Sequence, residues 1–181
     1  MSETPLLSSI NVYSGADLKA LAATDKLTIA VKIAHLLAVH QDHMLQFKPE
    51  ELIDNFINTG DAVVILDSQT NQLIGFAKNF LWDATNDKDQ HVYEFGSWIV
   101  QPEYCDNGYG HMLAVTAVMT VKKKDPDAQV IAVCASDNPK PIGILCELGA
   151  FECPKPSNVQ ILLGAGETPV TMLDVSNINY K

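Results

Sequence analysis

The chain has 181 residues, enough for one ordinary domain with a full core, and 47% are hydrophobic against 19% charged, which excludes a disordered polymer. Its 12 Lys and Arg against 22 Asp and Glu leave a net charge of −10; such a surface repels phosphate backbones, so nucleic acid is not an expected partner, whereas cationic partners such as amines are mildly favoured. No apolar run approaches the roughly 20 residues of a bilayer span, and the N-terminal MSETPLLSSI lacks the basic and apolar regions of a signal peptide, so no membrane association and a cytoplasmic location are expected.

Residues 16–24 and 26–46 read as helices. In the second, Ile29, Ile33, Leu36, Leu37, His40 and Met44 recur at helical spacing. Pro49 followed by two acids reads as the start of a third helix, which Thr59-Gly60 ends. The pattern then changes. DAVVILD (61–67), LIGFAKNFLW (73–82) and HVYEFGSWIV (91–100) are apolar runs joined by short polar turns, as in an antiparallel meander. A helix over 108–123 comes next, carrying Met112, Leu113, Val115, Val118, Met119 and Val121. Lys122-Lys123-Lys124 closes it as a solvated turn that suits the negative end of the helix dipole. QVIAVCA (129–135) reads as a buried strand. Asn138-Pro139 reads as the N-cap and first residue of a helix to Leu148, ended by Gly149. Residues 158–164 and 169–176 look like a closing hairpin. This order implies an α+β, or mixed α/β, fold: one domain over 1–181 with a central twisted sheet.

The four cysteines, Cys105, Cys134, Cys146 and Cys153, have no metal-binding spacing. Cys134 and Cys146 lie in apolar sequence and read as reduced, buried thiols. His40 and His43 are three apart and can share a helix face. Without further ligands near them no metal is expected, and they are candidates to line a substrate site.

The stretch with most chemical content is VQPEYCDNGYGHML (100–113), in which two glycines stand where a strand gives way to a helix. The first amides of a helix lack internal partners and carry partial positive charge, and glycine lets a ligand approach the backbone, so the junction suits an anion, best a phosphate. A Walker loop would need Gly-Lys-Ser/Thr, but Gly110 precedes His111; a Rossmann fingerprint would need a third glycine and an early parallel unit.

The segment from Gln72 to Glu152 resembles the GCN5-related N-acetyltransferase (GNAT) family. Its acetyl-CoA motif, R/Q-x-x-G-x-G/A, is matched by Cys105-Asp106-Asn107-Gly108-Tyr109-Gly110. Tyr93-Glu-Phe-Gly-Ser-Trp-Ile-Val-Gln-Pro-Glu-Tyr resembles the strand entering the family's V-x-P-x-Y turn. Val130-Ile-Ala-Val, Asn138 and Ile144-Leu-Cys-Glu-Leu-Gly-Ala-Phe resemble its next strand, its asparagine and the L-G-F end of its subsequent helix. Cys105 departs from the family's Arg or Gln. Its frequent tyrosine acid falls at Leu145, or at Cys146 if the extra Ala150 is placed differently.

The resemblance implies a GNAT-like, mostly antiparallel sheet flanked by helices, with a CoA-binding core over about 72–152. It implies an N-acyltransferase passing an acyl group directly from acetyl-CoA to an amine of a small molecule or protein, and it admits a homodimer. Backbone amides of Ile99 and Val100 would pair with the pantetheine arm. Amides from Cys105 through Asp106, Asn107, Gly108 and Tyr109 to Gly110, with His111 beside them, would hold the pyrophosphate. Asn138 would contact the pantetheine or the adjacent helix start. An ammonium must lose a proton before it attacks. Glu94, a carboxylate in an apolar strand, is the candidate base, its other reading being a paired structural acid. Tyr93 and Tyr109 are weaker candidates for proton handling, the alternative being that both pack. Cys105 and the absent tyrosine leave a second reading open, a non-catalytic GNAT-fold domain that binds acyl-CoA or a protein.

Overall fold

The structure is a computed structural model and describes residues 9–40, 44–155 and 169–179. The chain runs β1 (Ile10–Ser14), α1 (Ala16–Ala20), α2 (Ala23–Val39), α3 (Pro49–Leu52, continuing as a π-turn over Ile53–Ile57), β2 (Ala62–Asp67), β3 (Leu73–Thr85), β4 (His91–Val100), α4 (Tyr109–Lys124), β5 (Gln129–Ala135), α5 (Pro139–Glu147), β6 (Phe151–Glu152) and β7 (Val170–Asp174). A short 3-10 turn, Pro102–Tyr104, separates β4 from α4.

One sheet organises the described residues, in the order β1-β2-β3-β4-β5-β7-β6. Every pairing is antiparallel except β4 with β5. Alternation along the strands gives each face its own core. Val63, Ile65, Ala77, Tyr93, Phe95, Val130 and Ala132 face α4 and α5 and meet Leu113, Val118 and Leu145. Val64, Leu66 and Phe76 face the other way and meet Leu18, Ile33, Leu37, Leu52 and Phe56 of the early helices. The mixed fold with a meander at β2–β4 is the architecture expected from the sequence.

Several details differ. The strand β1 was not anticipated; its five residues are an edge whose existence depends on pairing with β2, from Ile10 against Asp67 to Ser14 against Val63. The first helix stops at Ala20 rather than 24, because Leu21 and Ala22 are extended (ψ 147 and 153). The second ends at Val39, not 46. The first strand of the expected hairpin, 158–164, lies outside the described residues; among those described, β7 pairs with β5 and β6. Cys146 is exposed and Cys134 only half-buried, because the cysteines sit on the outer turn of α5 and near the open end of β5. The lysine run is not simply solvated. Lys122 Nζ donates to the carbonyls of Pro126 (3.1 Å) and Ala128 (2.6 Å), and Lys124 pairs with Asp61 while lying 4.9 Å from the Tyr93 ring centre. No described helix is long and apolar enough to cross a membrane.

Candidate active site

The site begins where two strands part. The parallel ladder between β4 and β5 runs from Val92 opposite Gln129 to Phe95 opposite Ala132 and stops there. β4 continues to Val100 against β3, and β5 continues to Ala135 against β7. A β-bulge marks the parting. Phe76 opposes Ile99 and Lys78 opposes Gly96, so Ala77 faces both Ser97 and Trp98, and Ser97 has φ +46. A bulge bends its strand and re-aims the residues beyond it. Here it returns Trp98 and Val100 to the α4 face, where both pack.

Beyond the bulge the ladder fixes which amides are free. Gln101 N–H donates to Ile74 O at 2.9 Å. Antiparallel bonding alternates, so Ile99, two residues back and opposite Phe76, also turns its amide to β3. Val100 turns its amide toward the β5 side. Of the two amides expected to meet a pantetheine arm, the structure therefore offers Val100 and commits Ile99 to the sheet.

The loop after β4 then forms the turn that the sequence marks as a candidate anion site. Asn107 Nδ2 donates to the carbonyls of Tyr104 (3.3 Å) and Cys105 (3.0 Å), tying the loop to itself. Cys105 Sγ turns back toward Gln101 O (3.6 Å), so its side chain braces the loop while its backbone remains at the surface of the turn. Asp106 has φ +64 and Gly108 φ +79. Met112 N–H makes the first helical bond, to Gly108 O at 3.0 Å, so the amides of Tyr109, Gly110 and His111 have no acceptor within α4.

The two glycines serve different ends. A Cβ on Gly108 would meet nothing within 4 Å, and the residue is left-handed, so this position is both conformationally demanding and open to a ligand. A Cβ on Gly110 would stand 3.4 Å from the Trp98 ring, so this glycine lets α4 settle on β4. Tyr109 is buried in the α4 core with its ring 6.3 Å from that of Tyr104.

Across the cleft, Asn138 stands at the N-cap position of α5 after β5, without a side-chain capping bond, its own amide bonded to Ala135 O at 3.0 Å. Lys140, in the first turn of α5, reaches Asp106 Oδ1 at 3.5 Å, and His111 Nε2 lies 3.4 Å from Glu147. The chain contains no arginine; the 12 residues counted as Lys and Arg are all lysine. Lys140 is therefore the cation that the structure sets beside the anion turn. Sequence reasoning missed it; its place in the Asn-Pro-Lys start of α5 was the available signal.

Glu94 and Tyr93 point to opposite faces of the sheet and do not share a site. Tyr93 packs under α4. Glu94 lies on the side of the early helices, and its Oε1 is 3.6 Å from where a Cβ on Gly96 would stand, so the carboxylate folds over the last residue before the bulge. Burial pushes its carboxyl above the ordinary carboxylate range, opposed by the charge of Lys78 and by the nearby Trp82 indole. That indole N–H is itself buried without a well-formed hydrogen bond. Lys78 was not singled out from the sequence. It is 5% exposed, pairs with Gly96, and sets its Nζ 5.1, 5.6 and 5.9 Å from the ring centres of Phe56, Phe47 and Phe80. Burial holds its amine below its ordinary value, opposed by the charge of Glu94.

Leu145 is fully buried in the α5 core and Cys146 faces solvent; neither side chain carries a phenol, and neither stands in for the tyrosine acid. Burial pushes the Cys134 thiol up to about 11, which makes it a poor nucleophile. His40 Nε2 is buried without a hydrogen-bond partner among the described residues, and His43 lies outside them. Among the described residues no three His, Cys, Asp or Glu side chains gather as metal ligands would. A polar groove lined by Asn86, Gln90, Gln129 and Asp174 lies at the opposite, N-terminal ends of β4 and β5, away from this chemistry.

No protein-family model matches the sequence, and no curated protein sequence matches it. Solved structures do. A chain of the NatC complex bound to Gag peptide and CoA is similar at TM-score 0.68 and 11% identity, over 91% of this chain and 96% of that one. A GNAT-family acetyltransferase from Staphylococcus aureus gives 0.61 and 12%, over 92% and 99%. Arabidopsis thaliana Naa50 in complex with the bisubstrate analogue CoA-Ac-MVNAL gives 0.59 and 12%, over 91% and 97%. Identities this low speak for shape rather than chemistry, and the shape is shared almost end to end: the chain has the fold of the GNAT acetyltransferases.

Proposed function

We propose that the chain is an acyl-CoA-dependent N-acyltransferase, with acetyl-CoA as donor and an amine of a small molecule or protein as acceptor. The observation that carries this reading is the parting of β4 from β5 beyond Phe95 and Ala132, a slot that leads to the open, left-handed turn at Gly108. The residues present fit a CoA. Val100 offers an amide within the slot, the amides of Tyr109 to His111 suit the pyrophosphate, and Asn138 and Lys140 line the far lip. The thioester supplies an activated acyl group. Glu94 takes the proton that the acceptor ammonium must lose, and burial raises its pKa, the direction that strengthens a carboxylate as a base. The neighbours whose structures contain CoA or a CoA-linked analogue support the donor class. The acidic surface supports a cationic acceptor.

A second reading is favoured by Leu145, which stands where the family often has its tyrosine acid: a GNAT-fold domain that binds acyl-CoA or a protein without turnover. Calorimetric titration with acetyl-CoA and free CoA, then thiol-release assays over a panel of amines, tests both. Micromolar binding with thiol release supports the enzyme, and binding without release across the panel supports the second reading. Absence of CoA binding overturns the enzyme and the CoA-binding domain alike, and leaves of the second reading only a domain that binds a protein.

A further inference from the structure

An ammonium sealed in a protein normally has anionic or carbonyl partners, because burying a charge without them is costly. Lys78 is 5% exposed; Glu94 is its charged neighbour, and the rest of its described surroundings are three aromatic rings, from Phe47 in the segment before α3, Phe56 in the π-turn and Phe80 on its own strand. The ring faces attract a cation, but they also suit an uncharged amine or amide. The position is as telling as the cage. Lys78 stands opposite Gly96, the residue over which Glu94 folds its carboxylate, and the β4–β5 slot opens immediately after Phe95. Neighbouring strands lie about 4.8 Å apart, so the single strand β4 separates the Lys78 backbone from that slot, and Lys78 and Glu94 share the face of the sheet that the early helices cover. Gly96 presents no side chain between them.

We propose that Lys78 is an internal acceptor: the chain transfers an acyl group from acyl-CoA in the β4–β5 slot to its own Lys78 Nζ. This rests on the reading above that the slot holds acyl-CoA. Lys78 Nζ, as the free amine, attacks the thioester carbonyl carbon. An N–C amide bond forms as the C–S bond breaks, and the proton shed by nitrogen passes by way of Glu94 to the departing thiolate. The only co-reactant is the acyl-CoA. The product is an uncharged amide among Phe47, Phe56 and Phe80, which removes the cost of keeping a cation there. It also deprives Glu94 of its neighbouring positive charge, so the modification alters the environment of the candidate base.

The experiment incubates the purified chain with acetyl-CoA and maps acetyl groups on all lysines by peptide mass spectrometry over time, with calorimetry of CoA binding on the same preparation. The expected result is acetyl on Lys78 ahead of the exposed lysines, suppressed by excess free CoA and slowed on the order of 10²-fold or more in Glu94→Gln, whose CoA affinity is unchanged. CoA binding with Lys78 unmodified, or modified no faster than surface lysines such as Lys140, overturns the proposal while leaving the CoA site standing. Absence of CoA binding overturns both. Mapping on the native sequence requires no variant to fold, and Lys78→Arg, which keeps the charge, serves as the unmodified reference.

Discussion

Replacing Gly108 separates backbone geometry from ligand binding. The residue sits at φ +79, where an L side chain costs about 1–2 kcal/mol, and its surroundings add no clash because nothing lies within 4 Å of the new Cβ. Gly108→Ala is therefore expected to lower stability by that backbone cost alone. For a chain of this size that corresponds to a fall in Tm of roughly 2–8 °C. Gly108→Leu carries a similar strain and fills the open side of the turn. If two or more helix-start amides meet a phosphate there, losing even one such charge-assisted bond costs about 1.5–3 kcal/mol, or about a 10- to 150-fold rise in the Kd for CoA. Gly110→Ala is the control. Its backbone is not left-handed, its Cβ stands 3.4 Å from the Trp98 ring, and a small packing adjustment is the expected consequence. Thermal unfolding and calorimetry with free CoA, run on the three variants, read the two effects separately. A Gly108→Leu chain that loses stability but binds CoA as tightly as the parent would refute the assignment of the turn to the pyrophosphate. A Gly108→Ala chain as stable as the parent would refute the backbone argument.

The site carries other expected outcomes. Glu94→Gln should lower kcat on the order of 10²- to 10⁴-fold with an unchanged CoA Kd; unchanged turnover in steady-state assays removes the base role. The same group gives a signed pH effect. Its carboxyl is raised in the folded chain, so that chain holds a proton where the unfolded chain has lost it. This contribution to stability is complete below the unfolded carboxylate value and disappears as pH rises through the folded one, a slope that Glu94→Gln should abolish in denaturant titrations at stepped pH. The acid limb of the rate profile should lie above the ordinary carboxylate range, and Lys78→Met should move it to higher pH, because Lys78 holds the Glu94 pKa down; a limb that stays put refutes that coupling. Lys140→Glu should weaken CoA severalfold at low salt and less at high salt, as expected for an exposed charge; equal affinities in calorimetry at low salt place Lys140 outside the site.

The sequence by itself determined the local chemistry. Hydrophobic periodicity located α4, α5 and β2 to β5, and the Gly-x-Gly after an apolar strand marked the anion turn, because both signals are carried by residues adjacent in the chain. Glu94 was legible for the same reason: an acid in an apolar run is conspicuous without any partner being known. Everything set by pairing required tertiary structure. β1 is a strand because β2 offers it an edge, and α1 stops early because Leu21 and Ala22 are extended to connect it to α2. The bulge at Ser97 reverses the facing of Trp98 to Val100, and only the register against β3 shows that Ile99 turns its amide into the β3 ladder while Val100 turns its amide to the other side. Lys78 lay unnoticed because a lone lysine in a strand reads as surface. Its meaning comes from Phe47, Phe56 and Glu94, which lie far from it in the chain and meet it only when the early helices close over the sheet.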